Sequence, residues 1–286
     1  MSKIFPSKLL LFGEYTVLNG SQALSIPLSK WTGKWVKQDE NVQLSLIPEY
    51  YRWLGKVELA DEQTYERIVR DFEEGWMYDS DIPIGYGVGS SGAYVAAVYD
   101  RYLHSNENDF SKITDKLAQM EAYFHGSSSG MDPLVSYSGK GVYKDENAGF
   151  QLMEYKGLPE GFKMYLMDSG VARQTASLVN RYKERTDDHV ITKKIKRELV
   201  PMVEHAIHFY MSGKNKKLEE CISMISTFQR EYFEEIIPED IKNQWDELSA
   251  QPGVYVKLCG AGGGGYFLVI TTGDQDISSE NLIGIN

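Results

Sequence analysis

The chain has 286 residues, of which 42% are hydrophobic and 25% charged, enough to fill one large or two small domains. Its formal net charge of −11 argues against nucleic acid or an anionic membrane as the main partner. The apolar run Leu9–Phe12 is much shorter than a signal-peptide core or a membrane span, so we expect a cytoplasmic protein. Cys221 and Cys259 have no metal-binding spacing and are expected to be reduced.

In chain order, the predicted elements fall into two lobes, residues 1–160 and 161–286. The first lobe has an opening strand pair, a strand at 42–46, a glycine loop with its helix, a helix starting near the Ser111 N-cap and a strand at 141–143. The second has a strand at 164–168, helical patterns at about 173–186, 192–212, 215–235 and 239–250, and strands between residues 254 and 270. Strands and helices that do not alternate regularly favour an α+β fold over a doubly wound sheet.

A glycine- and serine-rich loop at 83–93 runs into an apolar, helix-forming stretch at 94–99. Its glycines let backbone N–H groups converge, and a helix start adds unpaired donors and positive dipole charge, so the loop suits a phosphate. Ser90 and Ser91 stand where hydroxyls cap a helix, bind a phosphate oxygen or ligate Mg2+. The loop matches neither a Walker A motif nor a dinucleotide fingerprint, and a plain strand-to-helix turn stays an alternative.

A second glycine-rich segment, Gly260–Gly265, separates two apolar strands near the other end of the chain. Five glycines in six positions raise the entropic cost of folding, so the presence of so many glycines here requires an explanation. Close approach of the backbone to a ligand is one such reason. A glycine-rich hairpin without a ligand is the alternative.

The third segment, residues 121–133, ends a helical pattern in which apolar positions 113, 117, 120 and 124 share one face. Glu121 lies beside this face, where a carboxylate is either solvated or bound to a metal. Gly126 is predicted to end the helix, and the polar run after it presents Asp132 from a turn. An Asp-Pro turn read in isolation is usually structural.

These motifs, in this order, resemble those of the GHMP small-molecule kinases. The family's first motif, Pro-Gly-Lys-Ile-x-Leu-x-Gly-Glu-His, corresponds to Pro-Ser-Lys-Leu-Leu-Leu-Phe-Gly-Glu-Tyr at 6–15. The second, Pro-x-Gly-x-Gly-Leu-Gly-Ser-Ser-Ala, is matched from Pro83, and the third at 257–265. A His-Gly-x-x-Ser-Gly-x-Asp signature, typical of the mevalonate kinase branch, stands at 125–132. The matches extend from residue 6 to residue 265, nearly the whole chain.

The resemblance implies a two-lobed GHMP kinase fold, with an N-terminal lobe like ribosomal S5 domain 2 and a ferredoxin-like C-terminal lobe. It implies that ATP, with Mg2+, phosphorylates the primary hydroxyl of mevalonate or a similar hydroxy acid, in isoprenoid precursor synthesis. Asp132 would take or orient the hydroxyl proton, and Lys8 would stabilise that carboxylate and neutralise the transferring phosphoryl group.

The other site residues are carried over from the same motifs. Ser91 and Glu121 fall on the Mg2+ positions. The ATP phosphate loop would comprise Gly85, Gly87, Val88, Gly89, Ser90, Ser91 and Gly92. The substrate positions would be Lys8, Glu14, Tyr15, His125, Asp132, Thr175, Gly260 and Ala261.

The chain departs from the family pattern at Ser7, Tyr15, Gly92, Ser128 and Cys259. None of these changes removes a group that must transfer a proton or hold a metal. Tyr15 replaces a histidine beside the substrate, and a phenol offers different hydrogen-bonding groups from an imidazole. The exact acceptor is therefore open.

Two alternatives stay open. One is a GHMP kinase for phosphomevalonate, a sugar or homoserine, although homoserine kinases lack the paired roles of Asp132 and Lys8. Phosphomevalonate would need a cationic cluster near the acceptor, where the sequence offers Arg173. The other is a non-catalytic nucleotide-binding regulator, although the catalytic groups are retained. We expect a small-molecule substrate and no nucleic-acid or membrane partner, with a homodimer also open.

Overall fold

The computed structural model describes residues 2–38, 49–104, 109–145, 148–172, 189–273, 275 and 277–285. The chain divides into two compact units. The first unit comprises Met1–Lys8, Pro27–Pro83 and Gly89–Lys140, and the second comprises Leu9–Ile26, Ile84–Val88 and Gly141–Asn286. The division into lobes 1–160 and 161–286 stays a prediction.

Helices and strands follow one another without regular alternation, which confirms the α+β class. Up to residue 140 they are β1 (Ile4–Phe12), β2 (Ala23–Lys37), α1 (Glu49–Lys56), α2 (Glu62–Glu73), β3 (Trp76–Ser80), α3 (Ser90–Val98), α4 (Phe110–His125) and α5 (Met131–Ser138). After it they are β4 (Gly141–Asp145), β5 (Gly149–Met153), β6 (Phe162–Asp168), α6 (His189–Lys194), α7 (Val200–Met211), α8 (Asn215–Tyr232), α9 (Glu239–Ser249), β7 (Val254–Leu258), β8 (Tyr266–Thr272) and β9 (Leu282–Gly284).

The first unit is organised around α3. Residues 33–37 of β2 pair with antiparallel strand β3, and the Trp35 indole donates a hydrogen bond to the Ala97 carbonyl of α3 at 3.0 Å. Because most of its residues after Ser91 are small and apolar, α3 is buried on nearly every side from Gly92 onward. The glycine loop therefore runs into a helix that the core holds in place.

The predicted apolar face of helix α4 is confirmed at Ile113, Leu117 and Met120, which are buried, but is wrong at Phe124, which is 39% exposed. Gly126 ends the helix with φ 76°, as predicted. The prediction that Ser111 caps the start is wrong. Asp109 is the N-cap, and its carboxylate accepts a hydrogen bond from the Ser111 N–H at 3.0 Å.

Asp132 was predicted to be presented from a turn after the polar run, and the structure places it instead in the first turn of a helix, α5. Proline is tolerated in a first helical turn because an N–H there has no intrahelical acceptor. Pro133 therefore continues the helix that Gly130 begins with φ 78°. Leu134 and Val135 are fully buried, so the backbone that carries Asp132 is anchored in the core.

The second unit contains an antiparallel sheet with the strand order β7-β8-β6-β9. A β4–β5 hairpin pairs with residues 23–25 of β2. Helices α8 and α9 bury Ile222, Ile225 and Trp245. The predicted helix at about 192–212 appears as α6, a π-helical turn and α7.

Several sequence predictions need comment beside this fold. Helices α1 and α2 and strand β3 were not predicted. The predicted strand at 42–46 and helix at 173–186 lie outside the described residues. In the described ranges, no helix has the length and apolarity needed to cross a membrane. Cys221 and Cys259 are buried free thiols, which agrees with the prediction.

Candidate active site

Lys8 and Asp132 form an ion pair in the first unit. Lys8 Nζ lies 2.8 Å from Asp132 Oδ2, and the Lys8 side chain is 5% exposed whereas that of Asp132 is 34% exposed. A buried ammonium group therefore holds a carboxylate that still meets solvent. This arrangement suits a carboxylate that accepts a proton from an incoming hydroxyl.

Two glycines allow this pair to lie beside the start of α3. Gly89, the N-cap, has φ 82°, and a Cβ there would lie 2.5 Å from Lys8 Cγ. A Cβ on Gly92 would lie 3.0 Å from the backbone of Asp132 and Pro133. The first turns of α3 and α5 therefore pack closely, and their N-cap residues, Gly89 and Gly130, have no side chain that could cap the helix. Unpaired N–H groups at helix starts attract anions.

Ser91, Glu121 and His125 meet where α3 faces α4. Ser91 Oγ lies 3.4 Å from Glu121 Oε1 and 3.0 Å from His125 Nε2. Glu121 is 4% exposed. Burial, followed by the nearby charge of Asp132, raises the pKa of Glu121 to about 7, and its hydrogen-bonding and cationic neighbours oppose this rise. A bound cation would favour the charged carboxylate.

The chemistry of Ser91 and Glu121 fits Mg2+. This ion prefers oxygen ligands and is usually held by few protein groups, with water and phosphate oxygens completing its shell. Neighbouring oxygens around one Mg2+ lie roughly 3 Å apart, and the two side-chain oxygens here are 3.4 Å apart. Among the described residues no group of three or more His, Cys, Asp or Glu side chains could hold a metal.

Glu14 belongs to a buried ion pair in the second unit. Lys257 Nζ lies 2.5 Å from Glu14 Oε1, and both side chains are 0% exposed. Lys257 also donates a hydrogen bond to the Leu258 carbonyl. The structure thus places the predicted substrate residue Glu14 against a lysine of β7.

Tyr15 holds the second glycine-rich segment. Its hydroxyl donates a hydrogen bond to the Ala261 carbonyl at 2.5 Å, and its ring lies 5.1 Å from that of Phe233. Tyr15 is 5% exposed and has φ 61°, a left-handed conformation that is uncommon for a bulky residue. Tyr15 and Ala261, which were both predicted to be site residues, are thus in direct contact. This contact joins the motif at 6–15 to the motif at 257–265.

The glycine at 265 has a packing reason that the sequence did not reveal. A Cβ on Gly265 would lie 2.7 Å from the Tyr86 carbonyl oxygen, and the Tyr266 N–H donates to that same oxygen at 3.2 Å. Tyr86 stands between Gly85 and Gly87, which have φ 81° and 83°. The backbone at Gly265 therefore packs on the backbone of the glycine loop at Tyr86. This packing explains the glycine at position 265 without a ligand.

The remaining predicted residues are placed as follows. Ser90 begins α3, Val88 is fully buried, and Gly260 lies in the turn after β7. Thr175 and Arg173 lie outside the described residues. Sequence reasoning missed Lys257 as a partner for Glu14, although an ionisable residue inside the apolar strand Val254–Leu258 is a signal for a buried partner.

Comparison with known proteins connects these motifs to a family. Residues 58–140 match the model of the GHMP kinases N terminal domain. A mevalonate kinase from Archaeoglobus fulgidus is 25% identical over 279 residues, which cover 94% of this chain and 92% of the relative. Over residues 58–140 the chain is similar to the GHMP kinases. The resemblance to mevalonate kinases predicted from the motifs is confirmed, as is the class of ATP-dependent kinase.

Solved kinase structures superpose on the chain, which shows that the chain shares their fold. The L. major mevalonate kinase in complex with R-mevalonate superposes with a TM-score of 0.66 at 17% identity, covering 96% of this chain and 88% of that one. The Streptococcus pneumoniae phosphomevalonate kinase in complex with phosphomevalonate and AMPPNP also gives 0.66 at 17% identity, covering 95% and 92%. The TM-scores are equal for two kinases that bind different acceptors, so the fold alone does not identify the acceptor of this chain.

Proposed function

We propose that the protein is a mevalonate kinase, which transfers the γ-phosphoryl group of ATP to the primary hydroxyl of mevalonate. The observation that carries this proposal is the Lys8–Asp132 pair at 2.8 Å, with one partner buried and the other partly exposed, beside the uncapped start of α3. The relatives named mevalonate kinase and the signature at 125–132 support mevalonate as the acceptor.

In the proposed reaction, the acceptor hydroxyl approaches the exposed side of Asp132. Asp132 accepts the hydroxyl proton while the hydroxyl oxygen forms a bond to the γ-phosphorus and the bond to the β-phosphate oxygen breaks, releasing ADP. Lys8 stabilises the carboxylate and offers positive charge to the transferring group. Because Gly89 and Gly92 admit both residues to the start of α3, the proton acceptor would lie near the phosphate donor.

The remaining roles follow from the same geometry. The first-turn N–H groups of α3, after Gly89, would bind phosphate oxygens. Ser91 and Glu121 would hold Mg2+, which neutralises phosphate charge when bound. His125 would keep the Ser91 hydroxyl in place through their 3.0 Å contact.

An acceptor panel tests the proposal. Release of ADP is measured by a coupled assay with ATP, Mg2+ and, separately, mevalonate, phosphomevalonate, homoserine and galactose. We expect turnover with mevalonate to exceed turnover with each other acceptor. Turnover of another acceptor but not of mevalonate would reject the assignment and keep the kinase class, and ATP binding without any turnover would favour a regulator.

The expected cytoplasmic location, the homodimer and the lack of nucleic-acid or membrane partners stay predictions. Sedimentation of the purified protein would measure the oligomeric state. Cell fractionation would measure the location.

A further inference from the structure

The Glu121 carboxylate meets a different hydroxyl at each of its two oxygens. Oε1 faces Ser91 Oγ of α3 at 3.4 Å. Oε2 accepts a hydrogen bond from Ser128 Oγ, which lies in the turn between α4 and α5. The contact to Ser91 is long for a hydrogen bond, whereas the Ser128 hydroxyl donates a hydrogen bond to the carboxylate. Ser128 is therefore the stronger constraint on the direction of this carboxylate.

The Ser128 hydroxyl is itself fixed by the backbone. The Gly130 N–H donates a hydrogen bond to Ser128 Oγ at 2.9 Å, so the hydroxyl proton is left to point at Glu121. Gly130 is the N-cap of α5, the helix that carries Asp132. The chain of contacts thus runs from the start of α5 through Ser128 to Glu121.

We propose that Ser128 is a positioning residue for Glu121, because its hydroxyl holds the carboxylate so that Oε1 stays toward Ser91 and can receive a divalent cation. This inference rests on the proposed role of Glu121 as a Mg2+ ligand. Groups that orient metal ligands typically change metal affinity ~10–100-fold when removed. Loss of the Ser128 hydroxyl is expected to have an effect of that kind.

Ser129 provides a matched control within the same turn. Ser129 Oγ accepts a hydrogen bond from the Met131 N–H at 3.3 Å, which mirrors the backbone contact of Ser128. Ser128→Ala and Ser129→Ala therefore each remove a hydroxyl that accepts a hydrogen bond from one backbone N–H. Only Ser128→Ala also removes the hydroxyl that donates to Glu121. Ser128→Thr keeps the hydroxyl and serves as the rescue variant.

The test is the dissociation constant of Mn2+ alone, measured by electron paramagnetic resonance at neutral pH, with thermal midpoints to verify folding. We expect Ser128→Ala to weaken binding ~10–100-fold, with Ser128→Thr and Ser129→Ala close to wild type and Glu121→Gln at least as weak as Ser128→Ala. If Glu121→Gln weakens binding but Ser128→Ala does not, the positioning role is overturned while the metal role of Glu121 stands. If Glu121→Gln leaves binding unchanged, the assumed metal role fails, and the positioning role fails with it.

Discussion

The two units each contain a lysine–carboxylate pair, and the pairs differ mainly in exposure. In the first unit the Lys8 side chain is 5% exposed and its partner Asp132 34% exposed. In the second unit Lys257 and Glu14 are both 0% exposed, with Nζ and Oε1 2.5 Å apart. Both pairs connect one of the family's motifs to a distant part of the chain. Only the first has a carboxylate that a small molecule could reach.

This difference separates a pair suited to chemistry from one suited to structure. A proton acceptor must be reached by the hydroxyl that it serves, so exposure of Asp132 is required for its proposed role. A fully buried pair has lost its hydration, and removing one partner leaves an uncompensated charge in the core. Lys8–Asp132 should therefore matter most for turnover, and Lys257–Glu14 most for stability.

The largest expected effect on stability is that of breaking the buried pair. Lys257→Met should lower the free energy of unfolding by about 3–5 kcal/mol, because Glu14 would stay buried without its cation. The double variant Glu14→Gln/Lys257→Met should recover part of that loss. Urea denaturation of wild type and variants measures both, and a Lys257→Met protein as stable as wild type would show that the pair is not structural.

The next effect concerns pH and the buried Glu121. Its pKa in the folded protein is about 7, against an ordinary value of 4.5, so between these values the folded state binds more protons than the unfolded state. Stability should therefore fall as pH rises through this window, by on the order of 3 kcal/mol in total. Glu121→Gln lacks this titration. Without divalent metal, its stability relative to wild type should increase from pH 5 to pH 7, and parallel pH profiles would contradict the prediction.

A smaller effect is expected for Tyr15→Phe, which removes only the donor to the Ala261 carbonyl. Loss of this hydrogen bond should cost about 1 kcal/mol of unfolding free energy. Because the Tyr15 hydroxyl is directed to the second glycine-rich segment, KM for the acceptor should stay near the wild-type value. A large rise in KM with unchanged stability would instead support the sequence-based prediction that Tyr15 contacts substrate.

The sequence predicted most elements where periodicity was strong. Helix α4 shows this, since its apolar residues recur on one face and Gly126 ends it. The start of α5 was missed because Asp132-Pro133 suits both a turn and a first helical turn, and the choice depends on packing of Leu134 and Val135. Strand β3 was missed because its side chains are half-buried or exposed.

The sequence predicted which residues belong to the candidate site better than it predicted the contacts between them. The resemblance to the family's motifs indicated Lys8 and Asp132, which the fold brings to 2.8 Å although 124 positions separate them. Spacing gave no indication that Lys257 pairs with Glu14 or that Ser128 contacts Glu121. Those contacts depend on tertiary structure, and the roles of all these residues in catalysis stay predictions.

The central claim is that the partly exposed pair performs chemistry and the buried pair does not. Asp132→Asn keeps the size and helical position of the side chain but removes the base. Turnover with ATP and mevalonate should fall by about 10²–10⁴, while nucleotide affinity and the thermal midpoint stay near wild-type values. Measuring all three quantities on one preparation tests the claim most directly. An Asp132→Asn protein with near-normal turnover would contradict it.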